Sequence, residues 1–257
     1  MTKLAVGSLC KSFGGVRAVD DVSFSLSGGE FLALIGPNGA GKSTCFNTIN
    51  GQLAPEAGTI RFDGRDIAGL PAREICRRGI ARTFQIAATF GSMTVGENVQ
   101  MALIAHARET YRLWRPARLY HRTRVLELLR QVGMHEAIDR PCRELAYGDV
   151  KRVELAIALA SDPRLLLMDE PTAGMAPRER NDLIALVKAL VVERGMSVLF
   201  TEHSMDVVFS FADRIIVMAR GRLIADGDAK TIRSDPLVRQ VYFGSGRTFE
   251  RRRAPVS

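Results

Sequence analysis

Hydrophobic and polar positions change rhythm several times along the chain. Up to residue 35 they alternate loosely: "VRAVDDVSFSL" is an imperfect alternation, "SGGE" breaks it, and "FLALI" follows as an unbroken apolar run. This pattern predicts short strands with turns over residues 3–35, the last strand buried. "GTIRFDG" reads as a further strand closing in a turn. Over residues 98–137 the rhythm lengthens. In "RVLELLRQVG" apolar residues recur at i, i+3 and i+4, and the region is expected to be mostly helical. From Asp149 the two rhythms take turns: helix "DVKRVELAIALA", strand "RLLLMDE", helix "RNDLIALVKALVVER", strand "SVLFTEH". Strands alternating with helices imply a parallel sheet covered on both faces. Gly195 stands where the second of these helices should stop.

Composition changes this picture little. A chain of 257 residues can build one large core, or a core with an appended lobe. Its 46% apolar and 25% charged residues are ordinary for a folded, water-soluble protein. The net charge of +8 favours an anionic partner, whether nucleotide, nucleic acid or membrane surface, without choosing among them. Cys10, Cys45, Cys76 and Cys142 form no C-x-x-C pair and no cluster with histidine, so reduced thiols are expected rather than disulfides or a zinc site. "MTKLAVGSLCKSF" lacks the apolar run of a signal peptide, and no stretch reaches the ~18 apolar residues of a spanning helix. Work at a membrane would need other subunits to do the spanning. "GRTFERRRAPVS" is expected to be a solvated basic end.

The chemistry begins at "GPNGAGKST", which fits G-x-x-x-x-G-K-[ST] and follows the apolar run "FLALI". Glycines let backbone amides wrap a phosphate chain, and a helix starting at the lysine adds positive potential. Lys42 would reach the terminal phosphates, and the Ser43 hydroxyl would hold Mg²⁺. Downstream, "LLLMDE" sets Asp169 and Glu170 at the carboxyl end of a buried strand, where ligands bind in open parallel sheets. Asp169 can hold a metal through water, and Glu170 can polarise an attacking water as general base. That pairing favours hydrolysis over phosphoryl transfer to a second substrate.

In this order the residues resemble the ATP-binding subunit of an ABC transporter, over nearly the whole chain. The resemblance places Phe13 against adenine. Gly36, Pro37, Asn38, Gly39, Ala40, Gly41, Lys42, Ser43 and Thr44 form the phosphate loop, and Gln85 is the Q-loop residue that touches the metal and senses the membrane partner. It places Leu145 to Asp149, "LAYGD", at the signature, Ala173 to Ala176 at the D-loop and His203 at the switch histidine. The fold it implies is α/β: a P-loop NTPase (RecA-like) parallel sheet core with an N-terminal antiparallel β subdomain and an α-helical subdomain. One domain would span 1–244, with sheet parts 1–90 and 162–244, a helical subdomain about 91–161, and a basic tail 245–257.

Family members pack head to tail in pairs, so the signature of one chain faces ATP held by the other. Ala146, Tyr147, Gly148 and Asp149 would then serve the partner's nucleotide, with a helix starting near Asp149 aimed at its γ-phosphate. The usual signature is L-S-G-G-Q. Here Ala146 removes a hydroxyl, while Asp149 adds charge near the phosphate and is also a good helix cap. At the D-loop, Ala176 replaces a polar residue.

"LAYG", "GIARTFQ", "MTVGENV", "DEPTAGMAP", "EHSMDVV" and "DPLVRQVYFG" resemble the branched-chain amino acid uptake type. This implies ATP and Mg²⁺ as cofactors. It implies membrane-spanning permease subunits, a second ATPase subunit and a periplasmic binding protein as partners, with no nucleic acid. The expected place is the cytoplasmic face of the bacterial inner membrane, as a peripheral subunit. Related ATPases serve urea, aromatic acids or lipopolysaccharide, and these stay open. A soluble ABC ATPase acting on nucleic acid is less in keeping with one ATPase unit and no heptad run. A small-molecule kinase is opposed by Glu170, His203 and the signature turn. The segment around residues 110–122, with Trp114, is expected to be a solvated insertion.

Overall fold

The computed structural model describes residues 2–83, 89–107 and 121–243. The chain opens with β1 (Thr2–Phe13) and β2 (Val16–Ser27), each of 12 residues. These are longer than the short strands expected. Register shifts along the β1–β2 pair, with Ser8 and Asp21 at positive φ, break the strict alternation by which a long strand is recognised. β4 (Ala57–Phe62) and β5 (Arg65–Asp66) complete an antiparallel sheet in the order β2-β1-β4-β5.

The larger sheet contains β3 (Phe31–Ile35), β6 (Ile80–Thr83), β7 (Leu165–Asp169), β8 (Ser197–Thr201), β9 (Arg214–Ala219) and β10 (Arg222–Gly227). Its order is β10-β9-β3-β8-β7-β6, parallel except for β10. All residues of β3, β7 and β8 are buried, which explains their unbroken apolar sequences. The two-residue period of a strand divides them between two cores. Leu32, Leu34, Leu165, Leu167 and Leu199 face the antiparallel sheet and α1 (Lys42–Ile49). Phe31, Ile35, Leu166, Met168, Val198 and Phe200 face the opposite layer.

That layer is helical. α3 (Val95–His106), α4 (Arg122–Gln131) and α5 (Tyr147–Leu159) pack on one another there, whereas α2 (Ala72–Arg77), which precedes β6, sets Ile75 into the core on the antiparallel-sheet side. The stretch expected to be mostly helical resolves into α3 and α4, followed by Gly133 at φ 72° and a 3-10 turn at His135–Ala137. Residues 108–120, including most of the expected insertion, lie outside the described residues, as does the expected tail. α3 starts on a capping box: the Glu97 amide donates to Thr94 Oγ1 at 3.2 Å, and the Thr94 amide donates to Glu97 Oε2 at 2.8 Å. α6 (Pro177–Arg194) begins earlier than expected, on a proline that needs no amide partner there, and ends on Gly195 at φ 62°. α7 (Met205–Phe211), α8 (Ala229–Ser234) and α9 (Pro236–Phe243) close the chain's described part. Among the described residues no helix is long and apolar enough to cross a membrane.

Candidate functional site

The site forms where β3, β7 and β8 end. After Ile35 the chain turns through the glycine-rich loop into α1. At two positions the loop lies so close to its surroundings that a side chain does not fit. A Cβ on Gly41, at φ 102°, would stand 2.1 Å from the Ala18 carbonyl oxygen, and one on Gly36 would stand 2.2 Å from that of Met218. The Gly221 amide, between β9 and β10, donates to the Ala40 carbonyl at 3.0 Å and pins the loop from the side. Lys42 Nζ donates to the carbonyls of Gly36 at 2.7 Å and Pro37 at 3.1 Å. Burial pushes the Lys42 pKa down, while the charges of Glu170 and Asp169 push it back up. Asn38, Gly39 and Ser43 are exposed, Pro37 and Thr44 are half-buried, and Ala40 is buried.

β7 delivers the acids. Asp169 is its last residue, and Glu170 follows at φ 48°, a left-handed conformation uncommon for a side chain of this size. Thr201, the last residue of β8, organises both. Its hydroxyl donates to Asp169 Oδ1 at 2.7 Å and accepts from the Glu170 amide at 3.0 Å. Arg82 Nη2 donates to Asp169 Oδ2 at 2.9 Å. Glu170 Oε1 lies 2.8 Å from His203 Nε2. The neighbouring Glu202 is buried and accepts from the Thr172 amide at 3.0 Å, the Thr172 hydroxyl at 2.5 Å and the His203 amide at 3.1 Å. It thereby ties the His203 backbone to Thr172, just ahead of Ala173 to Ala176.

Phe13 ends β1 half-exposed, with Lys11 Nζ 5.6 Å from its ring centre. An exposed aromatic face beside a cation suits stacking on a planar base. Gln85 lies outside the described residues, just beyond β6.

The signature turn is built differently from the expectation. α5 starts at Tyr147 with Ala146 as its N-cap, and no side chain caps it. Asp149 is therefore not the cap; it sits in the first turn, where its charge opposes the positive helix end. Ala146 is extended, at φ −65° and ψ 154°, so the helix starts at the next residue and takes in Tyr147 and Gly148. Tyr147 is exposed under Lys151, whose Nζ is 5.4 Å from the ring. The turn packs on its own D-loop: a Cβ at Gly174 would lie 3.6 Å from the Tyr147 ring, and one at Gly148 would lie 3.5 Å from the Met175 methyl.

The structure thus brings the phosphate loop, Asp169, Glu170 and His203 into one cluster and sets Tyr147 and Gly148 beside Gly174 and Met175. Arg82, Thr172, Thr201 and Glu202 join the cluster without having been singled out. Their only sequence signal was position: each stands within a few residues of a motif, at or just beyond a strand end. Amide-lined turns suit a phosphate chain, and the hard oxygens of Ser43 and Asp169 suit Mg²⁺. Among the described residues no cluster of three or more histidine, cysteine or acidic side chains offers a transition-metal site.

Known proteins are similar to this chain over nearly its whole length. The ABC transporter family model matches residues 19–173. The high-affinity branched-chain amino acid transport ATP-binding protein of Pseudomonas aeruginosa is 39% identical over 248 residues, covering 94% of this chain and 97% of that protein. A crystal structure of the ADP conformation of an ATP-binding cassette from an ABC transporter superposes with a TM-score of 0.86 at 34% identity, covering 95% of this chain and 99% of that one. A dimeric cassette in a post-hydrolysis state, bound to ADP and Pi, gives a TM-score of 0.74 at 27% identity over 88% of this chain and 98% of that one. With its glycine-rich loop, acidic strand end and His203 in one cluster, the chain belongs to the ABC transporter family, as an ATP-binding and ATP-hydrolysing subunit.

Proposed function

We propose that this subunit drives import of branched-chain or other hydrophobic amino acids, working on the cytoplasmic face of a bacterial inner membrane. Its likeness to amino acid transport ATPases over nearly the whole chain supports this solute class. The alternatives are urea, an aromatic acid or lipopolysaccharide. Membrane-spanning permeases would dock near Gln85 and "IAATFGSMTVGENV", with a periplasmic binding protein supplying solute to the complete system. Residues 1–90 and 162–244 form the sheet body in this reading, residues of about 91–161 the helical subdomain, and 245–257 a basic tail.

One observation carries the catalytic reading: the Glu170 carboxylate sits one residue beyond Asp169, 2.8 Å from His203. The loop from Gly36 to Thr44, through the N–H groups of all its residues but Pro37, and the Lys42 ammonium bind the phosphates, and Phe13 stacks on adenine. Ser43, Gln85 and Asp169 are the residues suited to hold Mg²⁺, which when bound neutralises charge on the β- and γ-phosphates. Glu170 orients and deprotonates the attacking water, and His203 holds Glu170 in place and contacts the γ-phosphate. Ala146, Tyr147, Gly148 and Asp149 of a second subunit, identical or related, close over the same nucleotide. The dimeric post-hydrolysis relative supports this head-to-tail pairing.

Uptake of labelled leucine, urea and benzoate by cells carrying the wild-type chain or Glu170→Gln tests the reading. Selective loss of leucine uptake is expected. Loss of another solute alone would reject the amino acid assignment, and unchanged uptake of all three would reject this solute set.

A further inference from the structure

One guanidinium joins three elements around the metal half of the site. Arg82 lies in β6, the strand that leads to Gln85. Its Nη2 donates to Asp169 Oδ2 at 2.9 Å. Its Nη1 donates to Asn47 Oδ1, on α1, at 2.6 Å and to Gln52 Oε1 at 3.2 Å. The Arg82 and Asp169 side chains retain 10% and 6% exposure, so the pair is almost wholly removed from water. The Arg82 guanidinium also lies 5.9 Å from the Phe46 ring, again on α1.

α1 carries Ser43 near its start, β7 ends on Asp169, and β6 runs toward Gln85. α1 and β7 each bear a residue suited to Mg²⁺, and both meet the side chain of Arg82 on β6. A buried carboxylate needs a counter-charge, but an ammonium would supply that alone. The planar fork of arginine adds two fixed directions at once. Here one direction points to β7 and the other to α1, so the fork sets the spacing between the elements that carry Asp169 and Ser43.

We propose that Arg82 is a positioning residue for the nucleotide's metal ion, bridging α1 and β7 so that Ser43 and Asp169 stand at coordinating separation. This rests on the reading of those two residues as Mg²⁺ ligands. Arg82→Lys keeps the charge and removes the fork; Asn47→Ala keeps Arg82 and removes its anchor on α1. Binding of a fluorescent ATP analogue to the purified full chain, titrated with Mg²⁺ and repeated in EDTA, reads the effect. Both variants should need roughly tenfold more Mg²⁺ for half-maximal binding, the scale of one lost charge-assisted hydrogen bond. Binding in EDTA, which depends on the phosphate loop, should change by less than about twofold. A merely structural role would weaken both conditions together, and that result, or an unchanged Mg²⁺ requirement in both variants, would overturn the proposal. Asp169→Asn is the control. If it keeps the wild-type Mg²⁺ response, the metal assignment itself fails; if it loses that response while Arg82→Lys and Asn47→Ala keep it, only the role of Arg82 fails.

Discussion

Lys42 donates to two carbonyls of its own loop and feels the charges of Glu170 and Asp169. It is the buried cation at the strand ends where the phosphates of ATP are expected, so its loss should be felt in binding and in turnover. Lys42→Ala is expected to lower ATP turnover by about 100-fold or more, the scale of removing one preorganised electrostatic contact. A phosphate-release assay on the purified chain checks this, and wild-type turnover would remove Lys42 from the site. At this scale the sequence told much. Lys42, Asp169 and Glu170 belong to short motifs whose chemistry follows from neighbours one or a few positions away. Arg82, Thr201 and Glu202 were not legible in the same way. Their partners lie 87, 32 and 30 positions off, and no local pattern encodes such a pairing.

Among the elements, α5 begins without a side-chain cap, because Ala146 has no oxygen to accept from the first-turn amides. Ala146→Ser places a hydroxyl where it can accept from the first-turn amides, and N-cap substitutions of this kind contribute about 1 kcal/mol. The variant should unfold roughly 2–4 °C higher by calorimetry while retaining ATP turnover. Complete loss of turnover would mean that this turn does not meet phosphate in the manner proposed. The buried strands were well marked in the sequence, as the unbroken apolar runs of β3, β7 and β8 illustrate. Boundaries were less so. The β1–β2 hairpin hid behind its bulges, and Asp149 suggested a cap because acids commonly occupy both the cap and the first turn.

For the whole molecule, the signature turn rests on its own D-loop, and its proposed nucleotide belongs to a second subunit. Glu170→Gln should keep nucleotide binding but fail to activate water, trapping an ATP-bound dimer. Light scattering with ATP and Mg²⁺, in the presence of the natural partner subunit, should report about twice the monomer mass. A persistent monomer would count against the sandwich. The order of motifs along the chain was enough to state the family, the nucleotide and the class of reaction, because phosphate loops and acidic strand ends are made by consecutive residues. The spatial order β9-β3-β8-β7-β6 was not stated anywhere in that order. β3 comes first of these strands in the chain yet lies between β8 and β9, and β8 separates it from β7. That arrangement sets Thr201 against Asp169, His203 against Glu170, and Arg82 across α1 and β7. Strand pairing is a contest among long-range contacts, settled by how whole apolar faces fit together, so the contacts that align the catalytic groups exist only once the sheet has closed.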